Sequence, residues 1–154
     1  MKKITVLLFA LGLGIFMVSA CASTAPSATK KPAAKTKSLY ERVGKLPAIK
    51  ALIDGTLDRI LKDPRVKDYF KGFDTEPIEK HFVQLACVVT GGPCKYEGRG
   101  MKTVHEDMRI TNAAFDAVME DILFTMKALK LGTQEQGEIM AAFNATRKDI
   151  VEIK

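Results

Sequence analysis

Much of what organises familiar enzymes is missing from this 154-residue chain. It has only two histidines, His81 and His105, and three cysteines. Cys87 and Cys94 stand seven positions apart with no histidine near them in sequence, a spacing that excludes a zinc site. No phosphate loop, catalytic triad or paired-carboxylate motif occurs, so no particular enzymatic reaction is indicated. There is no internal repeat. No segment alternates as a half-buried strand does; Cys87-Val88-Val89-Thr90 is β-prone but continues a helical stripe.

Acidic residues are also absent ahead of Ser38. The net charge is +6, but Lys2, Lys3, Lys30, Lys31, Lys35 and Lys37 all precede Ser38. Without those six the chain carries 18 basic and 18 acidic residues, so the folded part is neutral and no nucleic-acid partner is expected. The surplus belongs to two N-terminal segments. Lys2 and Lys3 precede an apolar run from Ile4 to Val18, then Ser19-Ala20-Cys21, which is the layout of an export signal. The run is short for a membrane-spanning helix. Residues 1–20 are therefore read as a signal peptide, with an uncleaved anchor or an ordinary secretory signal as alternatives. Residues 21–37 are Ala, Ser, Thr, Pro and Lys with no large apolar side chain. They cannot bury enough surface to offset their ordering entropy, and they read as a tether. Val18-Ser19-Ala20-Cys21 resembles the lipobox of bacterial lipoproteins. That resemblance implies a lipid on Cys21 and anchoring on the periplasmic side of a bacterial membrane. Ala22, standing where an aspartate would favour inner-membrane retention, tilts the expectation to the outer membrane. A basic tether would lie favourably along anionic headgroups.

Residues 38–154 read as one all-α domain. Ser38 and Glu41 form a capping-box pattern for a short helix through Val43, ended by Gly44. Leu46, Ile49, Ile53, Leu57 and Ile60 recur at spacings of three and four, the signature of one apolar helical face. Asp63-Pro64 predicts a new helix, with aspartate as N-cap and proline at the first position. Thr75 and Pro77 open another, with Ile78, Phe82, Leu85 and Val89 as its buried stripe, and Gly91-Gly92-Pro93 ends it. A loop from Cys94 to Gly100 leads to a short helix, about Met101 to Met108, that holds His105. Thr111 begins a longer helix with Phe115, Val118, Met119, Ile122, Met126 and Leu129 inward, closed by Gly132. Thr133 and Gln136 suggest a second capping box for a last helix carrying Ile139, Phe143 and Ile150.

A lone histidine is more often a hydrogen-bonded or surface residue than a metal ligand. The surroundings of His105 carry more information. Gly91-Gly92-Pro93, then Tyr96, Gly98, Arg99, Met101 and His105, resembles the signature of group I truncated globins, with Ile110-Thr111 and Phe115 following in register. Leu39-Tyr40-Glu41-Arg42-Val43-Gly44 resembles that family's opening. Leu61-Lys62-Asp63-Pro64-Arg65 with Tyr69-Phe70 resembles the stretch before its haem-contacting phenylalanine. The resemblance runs from about Ser38 to Ile150. It implies a two-over-two helical sandwich holding haem b, with His105 as proximal iron ligand through a neutral ring nitrogen. Phe70, Ile78, Phe82, Leu85, Met101, Phe115, Val118 and Phe143 are the expected lining, although most would be core in any helical domain. Arg99 and Lys102 are the expected propionate partners. With no Cys-x-x-Cys-His run, covalent attachment of that kind is not expected.

The distal positions depart from the family. Leu57 stands where a tyrosine commonly hydrogen-bonds the ligand, Phe82 replaces the usual glutamine, and Ile78 lies one turn before it. His81, on the flank of that stripe, either binds iron from the second side or touches a propionate or solvent. The resemblance implies a protein that binds oxygen, nitric oxide or carbon monoxide, with nitric oxide dioxygenase-type or peroxidase-type chemistry as extensions. Nothing in the sequence binds flavin or nicotinamide, so a reductant would be a separate, unidentified partner. The rival readings are a membrane-tethered bis-histidyl electron carrier or redox sensor, and an interaction module that has lost haem. Cys87 and Cys94 are either bridged or free.

Overall fold

The computed structural model describes residues 37–153, so the signal, most of the tether and Cys21 lie outside the described residues. The elements are α1 (Leu39–Val43), α2 (Lys45–Ile60), a 3₁₀ turn (Lys67–Phe70), α3 (Thr75–Val89), α4 (Met101–His105), α5 (Asn112–Ala128), α6 (Thr133–Asn144) and α7 (Arg147–Ile150). Thr111 and Ile153 form an isolated parallel bridge, and no strand occurs among the described residues.

Four long helices form the body. α2 packs on both α3 and α5, α5 packs on α6, and α6 returns to α3. Two helices thus cross two others, the two-over-two arrangement. Ile49, Leu52, Ile53 and Leu57 of α2 meet Val83 and Ala86 of α3, Phe115, Met119, Ile122 and Met126 of α5, and Ile139 and Phe143 of α6. Each of these larger side chains, Ala86 aside, stabilises the fold by about 1.5–3 kcal/mol when fully buried. Ile60, Val66, Ile110, Ala114 and Ala117 form a smaller cluster beside it.

Local chemistry places the ends. Ser38 accepts from the Glu41 amide at 3.2 Å while the Glu41 carboxylate accepts from the Ser38 amide at 2.9 Å, a complete capping box. Thr111 caps α5 by accepting from the Ala114 amide at 3.1 Å. Arg42 of α1 bonds Glu135 at 2.6 Å and also bonds Glu138, tying the first helix to α6.

Several expectations are corrected. Asp63-Pro64 starts no α-helix. The Asp63 carboxylate accepts from the Arg65 amide at 2.8 Å and its carbonyl accepts from the Val66 and Lys67 amides, which satisfies a tight turn instead. Thr75 does open α3, as expected, and Asp74 before it is the cap, accepting from the Glu76 amide at 3.1 Å. Gly132 does not close α5, which ends at Ala128; it is the N-cap of α6. The second capping box does not form, because the Gln136 side chain donates to the Leu131 carbonyl at 2.7 Å. The last helix is two, α6 and α7, and Ile150 belongs to the second. Leu129, expected inward, is exposed. The open cysteine question resolves to a Cys87–Cys94 disulfide with Cα atoms 5.8 Å apart.

Candidate functional site

The α3 stripe is the most informative departure. Val83, Ala86 and Cys87 fill the core, whereas Ile78, Phe82 and Leu85 are only half-buried. They are half-buried because they face a cavity of about 530 Å³, a size within the usual range of small-molecule sites. A helix with one apolar face on the core and a second facing a protein-free space is what an apolar cofactor requires.

Leu57, Phe70, Ile78, Phe82, Leu85, Arg99, Met101, Phe115, Val118 and Phe143, all predicted site residues, lie on the wall with His81 and His105. Lys102 does not; it is exposed, one residue along α4 from Met101. Residues not expected there also contribute: Val104 and Met108 near His105, and Ile150 of α7. Their signal was available, since positions 101, 104, 105 and 108 share one face of a helical turn. Phe82 meets Phe143 edge to face, centroids 5.5 Å apart, so aromatic carbon replaces an amide at that position.

His105 sits at the end of the one-turn helix α4. Its Nδ1 lies 2.7 Å from the Met101 carbonyl oxygen. A carbonyl can only accept, so Nδ1 carries a proton, and in the neutral ring the lone pair then sits on Nε2, as a metal ligand requires. The C-terminal segment holds this helix and the turn after it. α7 packs on α4, and the Glu152 carboxylate accepts from the Asp107 amide at 2.7 Å and the Arg109 amide at 2.6 Å. Asp107 and Arg109 have positive φ, 65° and 55°, so two strained residues after His105 are pinned by one carboxylate.

His81 has no hydrogen-bonding partner among the described residues. Its nearest aromatic neighbour is Tyr96, edge on at 6.1 Å. The Tyr96 hydroxyl donates to the Arg99 carbonyl at 2.8 Å, and burial pushes its phenol above the usual range. The Gln84 amide donates to the Glu97 carboxylate at 3.0 Å and accepts from the Glu97 backbone amide at 3.1 Å. That bond, with the nearby Lys80 ammonium, holds the Glu97 carboxyl below its usual range. Arg99, exposed at the cavity wall, has no acidic partner among the described residues and is available to an anionic group there. The one hydroxyl from the C-terminal part of the wall, Thr146, is spent on the Phe143 carbonyl at 2.7 Å.

Among the described residues, no group of three or more His, Cys, Asp or Glu could hold a bare metal ion. The site offers one tautomerically fixed imidazole in an apolar slot. It therefore suits a metal that brings most of its own ligands.

Comparison with known proteins agrees with this geometry. The bacterial-like globin family matches residues 38–152. A group 1 truncated hemoglobin of Tetrahymena thermophila is 33% identical over 115 residues, covering 75% of this chain and 95% of that protein. The crystal structure of truncated hemoglobin from Tetrahymena pyriformis in its Fe(III) form superposes with a TM-score of 0.72 at 31% identity, covering 75% of this chain and 98% of that one. The 2/2 hemoglobin of Synechococcus, in a cyanomet state with covalently attached heme, superposes with a TM-score of 0.71 at 25% identity over 75% of this chain and 98% of that one.

Proposed function

The chain belongs to the bacterial-like globin family and shares its haem cofactor and its two-over-two fold, and on that premise we propose that it binds a diatomic gas with His105 as the iron's protein ligand. The carrying observation is the His105 imidazole, with Nδ1 committed to Met101 and Nε2 left free on the wall of a mostly apolar cavity. Haem supplies a redox-active iron with a position open to a small ligand. The chain's own residues do the rest. The Met101 carbonyl fixes the ring and makes Nε2 more electron-rich. Phe70, Phe115, Val118 and the Phe82–Phe143 pair exclude water. Arg99 would pair with a haem carboxylate.

Leu57, Ile78 and Phe82 offer no hydrogen-bond donor to a polar gas, which favours rapid release. Nitric oxide detoxification is one use of such a site. It consumes one dioxygen and one electron per nitrate formed, and the electron comes from a separate, unidentified reductant. A second reading is a bis-histidyl electron-transfer or redox-sensing protein. His81 favours it, being a free imidazole on the same wall. Either protein would be tethered to a bacterial membrane through lipid on Cys21, and Cys21→Ala should release it to the soluble fraction.

Haemin titrated into the purified chain should saturate at one equivalent, and the ferrous form should give a carbon monoxide difference spectrum. Failure to retain haemin would overturn the proposal. Fast carbon monoxide association supports the gas-binding reading. Slow association that quickens in His81→Ala supports the second.

A further inference from the structure

The loop between α3 and α4 is fastened along one face of α3 at successive turns. Lys80, Gln84 and Cys87, at spacings of four and three, share that face. Cys94 is bonded to Cys87, and Glu97 is held by Gln84 and by Lys80, whose Nζ lies 3.1 Å from its carboxylate. Between these fastenings stands Tyr96, packed edge on against His81.

One bond and one glycine set where the Tyr96 ring lies. Its hydroxyl is committed to the Arg99 carbonyl, and its ring folds back over Gly98. A Cβ at position 98 would stand 2.3 Å from the Tyr96 hydroxyl oxygen and 2.4 Å from Cζ, so only glycine admits this ring position. His81 has no hydrogen bond of its own among the described residues. The Tyr96 ring is the one aromatic ring packed on it among the described residues, and the Glu97 carboxylate is the nearby charge.

We propose that Tyr96 is a positioning residue for His81: admitted by Gly98 and held by the Arg99 carbonyl and the Cys87–Cys94 bridge, it keeps the His81 imidazole turned into the cavity. The consequence for iron ligation rests on the reading of His81 as second axial ligand. The bridge makes the arrangement sensitive to a dithiol reductant. Two electrons and two protons convert the disulfide to two thiols while the reductant becomes a disulfide, and the loop loses its covalent fastening.

The test uses the full chain loaded with haem. Ferric spectra of wild type, His81→Ala, Tyr96→Ala and Tyr96→Phe report the ratio of low-spin to high-spin iron. An aromatic edge contact is expected to shift that ratio about 2- to 10-fold. Tyr96→Ala should lower it by that factor, Tyr96→Phe should restore most of it, and dithiothreitol should lower it in wild type. A difference between wild type and His81→Ala with no change in Tyr96→Ala overturns the positioning role alone. Identical spectra for wild type and His81→Ala overturn the ligation reading, and the positioning role is then judged by NMR. With only two histidines in the chain, the His81 ring signal is assignable by the His81→Ala variant. It should move in Tyr96→Ala and stay near its wild-type position in Tyr96→Phe. A His81 signal unmoved by loss of the Tyr96 ring contradicts the proposal.

Discussion

Replacing Cys94 by serine removes the one covalent cross-link seen among the described residues and puts a number on it. Cys94 is the better half to change. Cys87 is a fully buried residue of α3, and a serine there would bury a new hydroxyl, whereas Cys94 is only half-buried. A remaining Cys87 thiol behaves as a small apolar side chain. The bridge closes a loop of sequence separation 7. Loop-closure entropy for that length is worth about 2.5 kcal/mol at 25 °C. For a domain of this size, that corresponds to a fall of about 10 °C in melting temperature. Thermal unfolding of the haem-free chain, followed by far-ultraviolet circular dichroism, measures it. Wild type in dithiothreitol should melt with the variant, and the variant should not respond to dithiothreitol. Equal melting temperatures for wild type and Cys94→Ser, with neither responding to reductant, would show that the two sulfurs are not bonded in the folded chain.

Four further substitutions probe other supports. Gly92→Ala places a Cβ 2.6 Å from both Cys87 Sγ and Tyr40 Cδ2 and 2.8 Å from the Cys87 carbonyl oxygen. It should cost about 1–3 kcal/mol by urea denaturation, whereas Gly100→Ala, which meets nothing within 4 Å, should cost less than 1 kcal/mol. Glu152→Ala frees the Asp107 and Arg109 amides behind His105. It should lose roughly 1–3 kcal/mol of stability and speed haem transfer to apomyoglobin. Asp121 is buried in α5 against Arg59 at 3.0 Å, and burial outweighs that attraction, raising its carboxyl above the usual range. The folded chain therefore holds this proton more tightly than the unfolded chain. Its stabilising effect is present below the unfolded value and is lost as pH rises through the folded one. Asp121→Asn should flatten the urea-stability profile across that interval; an unchanged profile would contradict the shift.

Sequence periodicity located α2, α3 and α5 because their apolar positions recur at helical spacing, while Ser38 and Thr111 marked the starts of α1 and α5. It failed where one residue type serves two geometries. Asp63-Pro64 is as good a turn as a helix start, and Gly132 suits a C-terminus or an N-cap equally. Thr133 and Gln136 had the right spacing, but the Leu131 carbonyl outcompeted the capping box. The candidate site was legible for a related reason. The signature around His105 specifies a loop and a one-turn helix, and the wall residues follow from stripes that need burial in any case. Which of those stripes faces core and which faces the cavity was not legible, because Val83 and Phe82 are both apolar. The roles of Tyr96 and Glu152 were also hidden. Both depend on contacts set by folding: Tyr96 packs on His81, 15 positions before it in the sequence, and Glu152 reaches back more than 40 positions to the turn after His105.

The central claim is that the Nε2 of His105 is the protein's bond to haem iron. The most direct test is the ferrous absorption spectrum of the haem-loaded chain compared with His105→Gly, with and without added imidazole. Wild type should show a histidine-ligated haem that imidazole leaves unchanged. His105→Gly should lose that spectrum or retain haem weakly, and free imidazole filling the vacated space should restore it. A His105→Gly protein that keeps the wild-type spectrum and haem affinity without imidazole would contradict the assignment.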